Sequence, residues 1–126
     1  MNIINAIRDR EGTEFPAGRR TRVLVGVDSP IQAQHFVQGL VMIHPDGSIP
    51  IHAHETEETY IILSGHGIMT VGEEEQEVDS HDIVYIPPFV DHGLRNTGVE
   101  EMSMMFVYAP SMVAEHWAQE TSGQLR

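Results

Sequence analysis

Short apolar segments alternate with turn residues along the middle of the chain. The clearest of these segments are rich in Val, Ile, Tyr, Phe and Met, and they span 21–27, 34–43, 58–63, 67–71, 82–86 and 102–108. Gly, Pro, Asp and Ser separate most of them. Short strands at close spacing, with turn residues between them, are typical of an antiparallel sandwich or barrel. The pattern therefore predicts an all-β fold.

Helical periodicity occurs only near the C-terminus. Ser111 is suited to cap a short helix that runs to about Glu120, because apolar and aromatic side chains recur there at one-face spacing. These side chains are Met112, Val113, His116 and Trp117. We predict a short C-terminal helix at this place, followed by a loose tail at 121–126.

The size of the chain limits its organisation. It has 126 residues, of which 40% are hydrophobic, and this suits one compact domain. We predict a single domain over 1–126, with a barrel at about 21–110. An N-terminal segment at 1–20 and the helix and tail at 111–126 flank this barrel. The absence of cysteine excludes disulfides, thiolate zinc sites and a cysteine nucleophile.

The charge balance argues against two classes of partner. Seven Lys plus Arg against 19 Asp plus Glu give a formal net charge of −12, which repels nucleic acid and anionic membranes. The acidic run at 72–77 is expected to be a solvated hairpin tip between Val71 and Val78. No apolar run reaches membrane-spanning length, and the first residues lack a signal-peptide core. The predicted location is cytoplasmic.

Two histidines and a glutamate have metal-ligand spacing. His52 and His54 point to the same side wherever this segment is extended, because side chains alternate along a strand. Glu58, at the start of the next strand, supplies the negative charge that neutral imidazoles lack. With one further histidine, such a set suits Fe, Mn, Ni, Co or Zn. An isolated pair of histidines is also compatible with ordinary exposed residues, so the pair by itself leaves both interpretations open.

Two longer motifs resemble those of the cupin superfamily. The segment HAHETEETYIILSG follows the first cupin motif, in which H-x-H is followed after three residues by Glu and after six more by Gly. The matching residues are His52, His54, Glu58 and Gly65. The segment HDIVYIPPFVDHGLRN resembles the second motif through Pro87, His92 and Asn96. The resemblance covers roughly 34–110 and indicates a small single-domain cupin.

The resemblance carries expectations for the fold and the metal. It implies a double-stranded β-helix, or jelly-roll barrel, that holds one divalent transition-metal ion inside. The ligands implied by the two motifs are His52, His54, Glu58 and His92. Three positions depart from the motifs: Gly47 lies one residue closer to the histidines than usual, and His81 and Phe89 occupy places where glycine is usual. Because glycine serves turns with positive φ, these departures affect the expected turn shapes and leave the ligands intact.

Several other residues are candidates for the pocket. Tyr60 has the same parity as Glu58, so it could orient a substrate or move a proton, or it could simply anchor the sheet. A second row shares one face of a strand and forms either core or a binding wall: Met102, Met104, Phe106 and Tyr108. Arg22 and Arg95 could hold a carboxylate or lie exposed at the rim. His35 shares one face of the segment 34–43 with Val37, Gly39 and Val41, and sequence alone does not say which face looks inward.

Two function classes follow from these expectations. Four protein ligands on an ion that accepts six leave two positions for a small-molecule substrate, oxygen or water. The first hypothesis is an enzyme acting on a small oxygenated organic molecule, either a dioxygenase with iron or a lyase or isomerase with Mn, Ni or Zn. The alternative is a non-catalytic module that binds or senses a small molecule and has a structural metal. The resemblance also implies a homodimer paired through sheet edges.

Overall fold

The chain folds into β-strands joined by short turns. The computed structural model describes residues 1–111, and this part contains strands and no helix. The strands are β1 (Thr13–Phe15), β2 (Arg19–Gly26), β3 (Ile31–Gln32), β4 (Val37–Ile43), β5 (Ser48–His52), β6 (Glu57–Ser64), β7 (Gly67–Val71), β8 (Glu74–Val78), β9 (Ile83–Ile86), β10 (His92–Asn96) and β11 (Met102–Ala109). The all-β prediction is confirmed. The predicted helix at 111–120 lies outside the described residues, apart from Ser111.

The acidic run differs from the prediction. Only Gly72 and Glu73 form the turn, and the four residues 74–77 belong to β8, which pairs with β7 from Gly67↔Val78 to Val71↔Glu74. The predicted solvated hairpin between Val71 and Val78 is present, but its turn is shorter than the whole of 72–77. Backbone hydrogen bonds form this ladder, and the acidic side chains stand in solvent on an edge strand, where charge also discourages pairing with other chains.

Two sheets enclose the core. The larger has seven strands in the order β1-β2-β4-β11-β6-β9, with β3 paired to β2. The smaller has four, in the order β5-β10-β7-β8. The strand neighbours are mostly distant in sequence, as in β11, which lies antiparallel between β4 and β6. The two sheets thus bring the segments that carry the two histidine motifs into one barrel. No helix in the described part is long and apolar enough to cross a membrane.

The inward faces of two strands are now defined. In β4 the buried core side chains are Val37, Val41 and Ile43, and Gly39 lies on the same face against the Phe106 ring. In β11 the whole row of alternate residues predicted as core or wall points inward: Met102, Met104, Phe106 and Tyr108. His35 is exposed and precedes β4. The predicted start of that strand at residue 34 was therefore three residues early.

Two turns adopt the backbone conformation that glycine usually supplies. His81 has φ of 76° and Phe89 has φ of 66°, and these are the two positions at which the second motif departs from glycine. Histidine visits this region more readily than most residues, whereas a bulky residue such as Phe does so at a cost. The Phe89 amide donates a hydrogen bond of 2.7 Å to the His54 carbonyl. This bond joins the two motif loops and holds the left-handed turn in place.

We expect Phe89→Gly to stabilise the protein by about 1 kcal/mol, because the substitution relieves the positive-φ strain at a side chain that is already largely exposed. Denaturant unfolding measures the difference. Phe89→Ala is the matched control: it removes the ring and keeps the strain, so no gain is expected. Equal stabilisation by both variants would show that the exposed ring, and not the backbone conformation, is the destabilising element.

A histidine outside the barrel interior bridges two carboxylates. His44 Nδ1 lies 2.9 Å from Glu101 Oε2, and its Nε2 lies 2.9 Å from Glu14 Oε2. Arg20 also approaches Glu14, at 3.4 Å. Partial burial lowers the pKa of His44, but the hydrogen bonds and charges of Glu101 and Glu14 outweigh it, so the pKa is raised above 6.5. The imidazole therefore connects β1 and the β10–β11 loop to the end of β4, most strongly when it is protonated.

The His44 bridge predicts a pH-dependent contribution to stability. Because its folded-state pKa is raised, the contribution is fully present below about pH 6.5 and is lost as the pH rises through the folded-state value. We expect His44→Gln to lower the unfolding free energy at pH 6 by less than about 1 kcal/mol, since the group is partly exposed and solvent screens it. The deficit should vanish near pH 9. His35→Gln, at an exposed position, should show no such pH dependence.

Candidate metal centre

The residues of the two histidine motifs meet across the barrel. His52 ends β5 and His92 begins β10, and the two are direct partners in the antiparallel register of the smaller sheet. His54 lies two residues beyond β5, and Glu58 is on β6 of the opposite sheet. Side chains from both sheets therefore converge at one end of the interior.

The three imidazoles are packed against one another. The ring centroid of His92 is 4.2 Å from that of His52 and 4.8 Å from that of His54, and the His52 and His54 centroids are 5.5 Å apart. One nitrogen from each ring lies within 4.8 Å of the others, a grouping that could hold a metal ion. The predicted juxtaposition of these three histidines is thus present in the fold.

Each imidazole makes the same kind of contact with a backbone carbonyl. The Nδ1 atom of His52 lies 2.6 Å from the Pro50 carbonyl oxygen, that of His54 is 3.0 Å from the Thr56 carbonyl, and that of His92 is 2.9 Å from the Val90 carbonyl. The carbonyl always belongs to the residue two positions away. Because a carbonyl oxygen only accepts, each Nδ1 carries the proton and donates it. The other ring nitrogen, Nε2, is then the one suited to bind a metal.

Glu58 lies between two of the rings. Its Oε1 is 3.0 Å from His54 Nε2 and 3.3 Å from His92 Nε2. Burial raises the pKa of Glu58, but the close contacts and charges of His54 and His92 outweigh it and the pKa is lowered. Burial likewise lowers the pKa of His54, and the Glu58 carboxylate reverses that effect and raises it. A proton on His54 Nε2 therefore occupies the place, beside a carboxylate, that a cation would take.

His52 and His92 are the two buried imidazoles of the cluster. Burial lowers the pKa of His52 to about 4, with a contribution from the neighbouring His92, so its ring is neutral at pH 7. His92 is completely buried, and its Nε2 has no hydrogen-bond partner within the described residues. The 3.3 Å approach to Glu58 thus lacks hydrogen-bond geometry. A buried imidazole nitrogen without a partner is costly unless something binds it, and a divalent transition metal fits this donor set.

The sequence interpretation missed two contacts of His54. Thr56 is buried, and its hydroxyl Oγ1 lies 2.7 Å from His54 Nδ1, beside the carbonyl already described. The Tyr108 ring lies 6.2 Å from the His54 ring, centroid to centroid. The Thr56 contact is local and could be suspected from the motif. The Tyr108 contact depends on the pairing of β11 with β6, in which Tyr108 faces Glu58.

The remaining candidate residues differ in whether they lie inside the barrel or outside it. Tyr60 is buried in the interior, with its ring centroid 6.1 Å from that of His92. Burial raises the pKa of Tyr60 well above its usual range, so its phenol stays protonated. Arg22 donates to the Arg10 carbonyl at 2.8 Å, and Arg95 is exposed on β10. The structure places neither Arg22 nor Arg95 among the imidazoles. The sequence interpretation overlooked Arg19, which is buried inside the barrel.

Comparisons with known proteins agree with this architecture. A stretch of 49 residues, 38% of the chain, is 47% identical to the uncharacterized protein MJ1618 of Methanocaldococcus jannaschii, and it spans 39% of that protein's length. The structure of TT1209 from Thermus thermophilus superposes with a TM-score of 0.70 at 23% identity, covering 87% of this chain and 98% of the other. The polyketide cyclase RemF from Streptomyces resistomycificus superposes with a TM-score of 0.70 at 20% identity, covering 94% and 91%.

These similarities support two separate conclusions, one about the fold and one about the family. At such identities the solved structures show the fold, which is the double-stranded β-helix expected from the motifs. The family is shown by the sequence itself, because the family model described as "Cupin domain" matches residues 39–108, more than half of the 126-residue chain. The matched region begins in β4 and ends in β11, and it contains both histidine motifs. The chain belongs to the cupin domain family.

Proposed function

We propose that this protein is a metal-dependent enzyme that acts on a small oxygenated organic molecule. The proposed ligands of one divalent transition-metal ion are His52, His54, Glu58 and His92. The observation that carries the proposal is the shared anchoring of the three imidazoles, each through Nδ1 to a carbonyl two residues away, with ligand nitrogens within 4.8 Å of one another. Histidines that are buried only for packing are not expected to share one tautomer and to bring one nitrogen each to the same point.

The residues of the proposed metal centre have distinct roles. A bound metal supplies Lewis-acid or redox chemistry to the substrate. His52, neutral at pH 7 because its pKa is about 4, is ready to bind without losing a proton, whereas His54 must release one. The Glu58 carboxylate offsets part of the cation's charge. Tyr60, which stays protonated, is the proposed catalytic residue beside the ligands, and its proposed role is to donate a hydrogen bond to a substrate oxygen.

The reaction class follows from the ligand set. Three nitrogens and one carboxylate leave two positions of a six-coordinate ion for a substrate that binds through oxygen atoms. With iron, we propose a dioxygenase; with Mn, Ni or Zn, a lyase or isomerase. The fold similarity to RemF, described as a polyketide cyclase, supports an enzyme of small oxygenated molecules. Fold alone does not select one reaction. In this proposal the identity of the bound metal therefore decides between the two reaction classes.

Elemental analysis of protein purified without an affinity tag or added metal is the test. We expect a near-stoichiometric transition metal. Iron leads to oxygen-uptake assays with diketones, catechols and phenolic acids, and Mn, Ni or Zn leads to assays of elimination and isomerisation. Metal bound without turnover in either panel would contradict the enzyme, and absence of metal even after loading with Fe²⁺, Mn²⁺ and Zn²⁺ would contradict the site.

One observation favours a second candidate, a non-catalytic module that senses or binds a small molecule around a structural metal. The interior cavity that Glu58 and Tyr60 line has a volume of about 20 Å³, which holds a water molecule and no organic substrate. A small molecule would then bind outside this cavity, away from the proposed catalytic residue Tyr60. In that case a metal-loaded protein should bind a small molecule without converting it. A substrate consumed in repeated turnovers would exclude this candidate.

The subunit arrangement and the location stay predictions. An exposed sheet edge that could pair with a second copy is β9, where Ile83 and Tyr85 are 70% and 56% exposed. Edge strands with apolar residues are candidates for such pairing. The proposed homodimer and the proposed cytoplasmic location both rest on the sequence arguments given above.

A further inference from the structure

A small chamber lined by buried residues lies inside the barrel beside Glu58 of the proposed metal centre. Its volume is about 20 Å³. One wall is apolar and consists of Val41, Ile49, Met104 and Phe106. The other wall is polar and consists of Arg19, Thr21, Glu58 and Tyr60. Glu58 is thus shared between the metal centre and this chamber.

Thr21 is the unusual member of the polar wall. It lies on β2, two residues after Arg19 and on the same inward face, and its side chain is only 5% exposed. Its hydroxyl Oγ1 has no hydrogen-bond partner among the described residues. A buried hydroxyl is normally satisfied by protein or by an internal water. Valine has the same shape and could occupy this position without burying an unsatisfied hydroxyl. The presence of threonine therefore suggests that the hydroxyl binds a partner.

The chamber has the size and the polar groups that one water requires. A volume of 10 to 15 Å³ on this measure is roughly the minimum for a water, which also needs two to four polar partners. The Glu58 carboxylate accepts hydrogen bonds. The Tyr60 phenol and the Thr21 hydroxyl can each donate or accept one. The Arg19 guanidinium, which is 1% exposed, adds a positive charge to the same wall.

We propose that the chamber is a binding site for one buried water that connects the Thr21 hydroxyl to the Glu58 carboxylate. Both imidazole contacts of Glu58 use Oε1, and the water binds its other oxygen, Oε2. Thr21 is then a positioning residue: through the water it fixes the rotation of the carboxylate that faces His54 and His92. This role rests on the proposed function of Glu58 as a metal ligand, whereas the water site itself does not.

Three variants and two readouts test this inference. Thr21→Val keeps the shape and removes the hydroxyl, Thr21→Ser keeps the hydroxyl, and Thr70→Val on β7 controls for the general effect of this substitution in a strand. High-resolution crystal structures locate the water. The visible absorption spectrum of protein loaded with Co²⁺ reports the geometry of the ligands, and thermal unfolding of the metal-free protein reports stability.

We expect density within hydrogen-bond distance of Thr21 Oγ1 in the wild type and in Thr21→Ser, and none in Thr21→Val. Thr21→Val should melt about 3 °C or more below the wild type, and its Co²⁺ spectrum should shift while that of Thr21→Ser does not. A dry chamber in the wild type, with Thr21→Val as stable or more stable, would overturn the water site. Density with an unchanged Co²⁺ spectrum would overturn the positioning role.

The two proposals fail in different ways. If the wild type binds no Co²⁺, the proposed metal enzyme is wrong. The density in the chamber and the melting temperature of Thr21→Val still decide the water site in that case, because neither measurement requires a metal.

Discussion

Replacement of His92 by alanine is expected to weaken metal binding by more than about 100-fold, since even the loss of a residue that merely orients a ligand costs about 10- to 100-fold. His92 is completely buried, and its Nε2 has no hydrogen-bond partner in the described part of the chain, so the substitution removes one whole donor from the proposed site. Isothermal titration of the metal-free protein with Zn²⁺ or Co²⁺ measures the affinity directly.

The same change should remove the stabilisation that the metal provides. A ligand present at about 1,000 times its Kd stabilises the folded state by about 4 kcal/mol, which corresponds to an increase in melting temperature on the order of 10 °C for a domain of this size. We expect this increase in the wild type and none in His92→Ala. His35→Ala, which removes an exposed histidine away from the barrel interior, is the matched control and should behave as the wild type.

A Glu58→Gln variant separates two forms of the site. The amide keeps the shape and removes the charge, so a site with four protein ligands should lose affinity, though by less than in His92→Ala. If Glu58→Gln binds metal as tightly as the wild type, the centre consists of three histidines and the carboxylate serves only to pair with His54. Unchanged metal binding by His92→Ala would contradict the centre altogether.

The convergence of the candidate ligands could be expected from the sequence, because their spacing is a local property. One residue separates His52 from His54, Glu58 lies near the start of the following strand, and the second motif places His92 five residues after its proline. Each imidazole is then fixed by a carbonyl two residues away, which is also local. The sequence therefore contains most of the information on how each ring is held, even though the rings meet only in the fold.

The parts of the fold that were missed depend on pairing between distant segments. The strands β5, β8 and β10 carry histidine, glutamate and arginine and have little apolar periodicity, so backbone pairing with a neighbour defines them. The position of Tyr108 beside His54 follows from the register of β11 against β6. The orphaned hydroxyl of Thr21 is evident only once opposite walls of the barrel are in place. No local pattern encodes these contacts.

The second-motif asparagine illustrates the opposite case, a motif residue whose role is structural. Asn96 is four residues beyond His92 on β10, and it is 3% exposed. Its Nδ2 lies 3.0 Å from the Ile43 carbonyl, 3.2 Å from the His44 carbonyl and 2.8 Å from the Glu100 carbonyl. Its Oδ1 accepts a hydrogen bond of 2.9 Å from the Gly98 amide. One side chain thus joins the end of β4 to the turn between β10 and β11.

We expect Asn96→Ala to lower the free energy of unfolding by about 3 kcal/mol or more, because a buried side chain loses its hydrogen bonds to four backbone groups at once and each buried group left unsatisfied costs about 1 to 3 kcal/mol. This is a large part of the 5 to 15 kcal/mol that stabilises a typical domain. Chemical denaturation measures the loss. Thr97→Ala, at the exposed neighbouring position, should differ from the wild type by less than about 0.5 kcal/mol.

Asn96→Asp shows whether donation to the carbonyls is the cause. The substitution keeps the size and the acceptor but places a carboxylate against three carbonyl oxygens, so at pH 7 it should be at least as destabilising as alanine. Protonation of the introduced carboxyl restores one donor, and the deficit relative to the wild type should therefore shrink as the pH falls toward 4. A deficit independent of pH, or an Asn96→Ala variant within about 1 kcal/mol of the wild type, would show that the side chain fills space and that its hydrogen bonds contribute little.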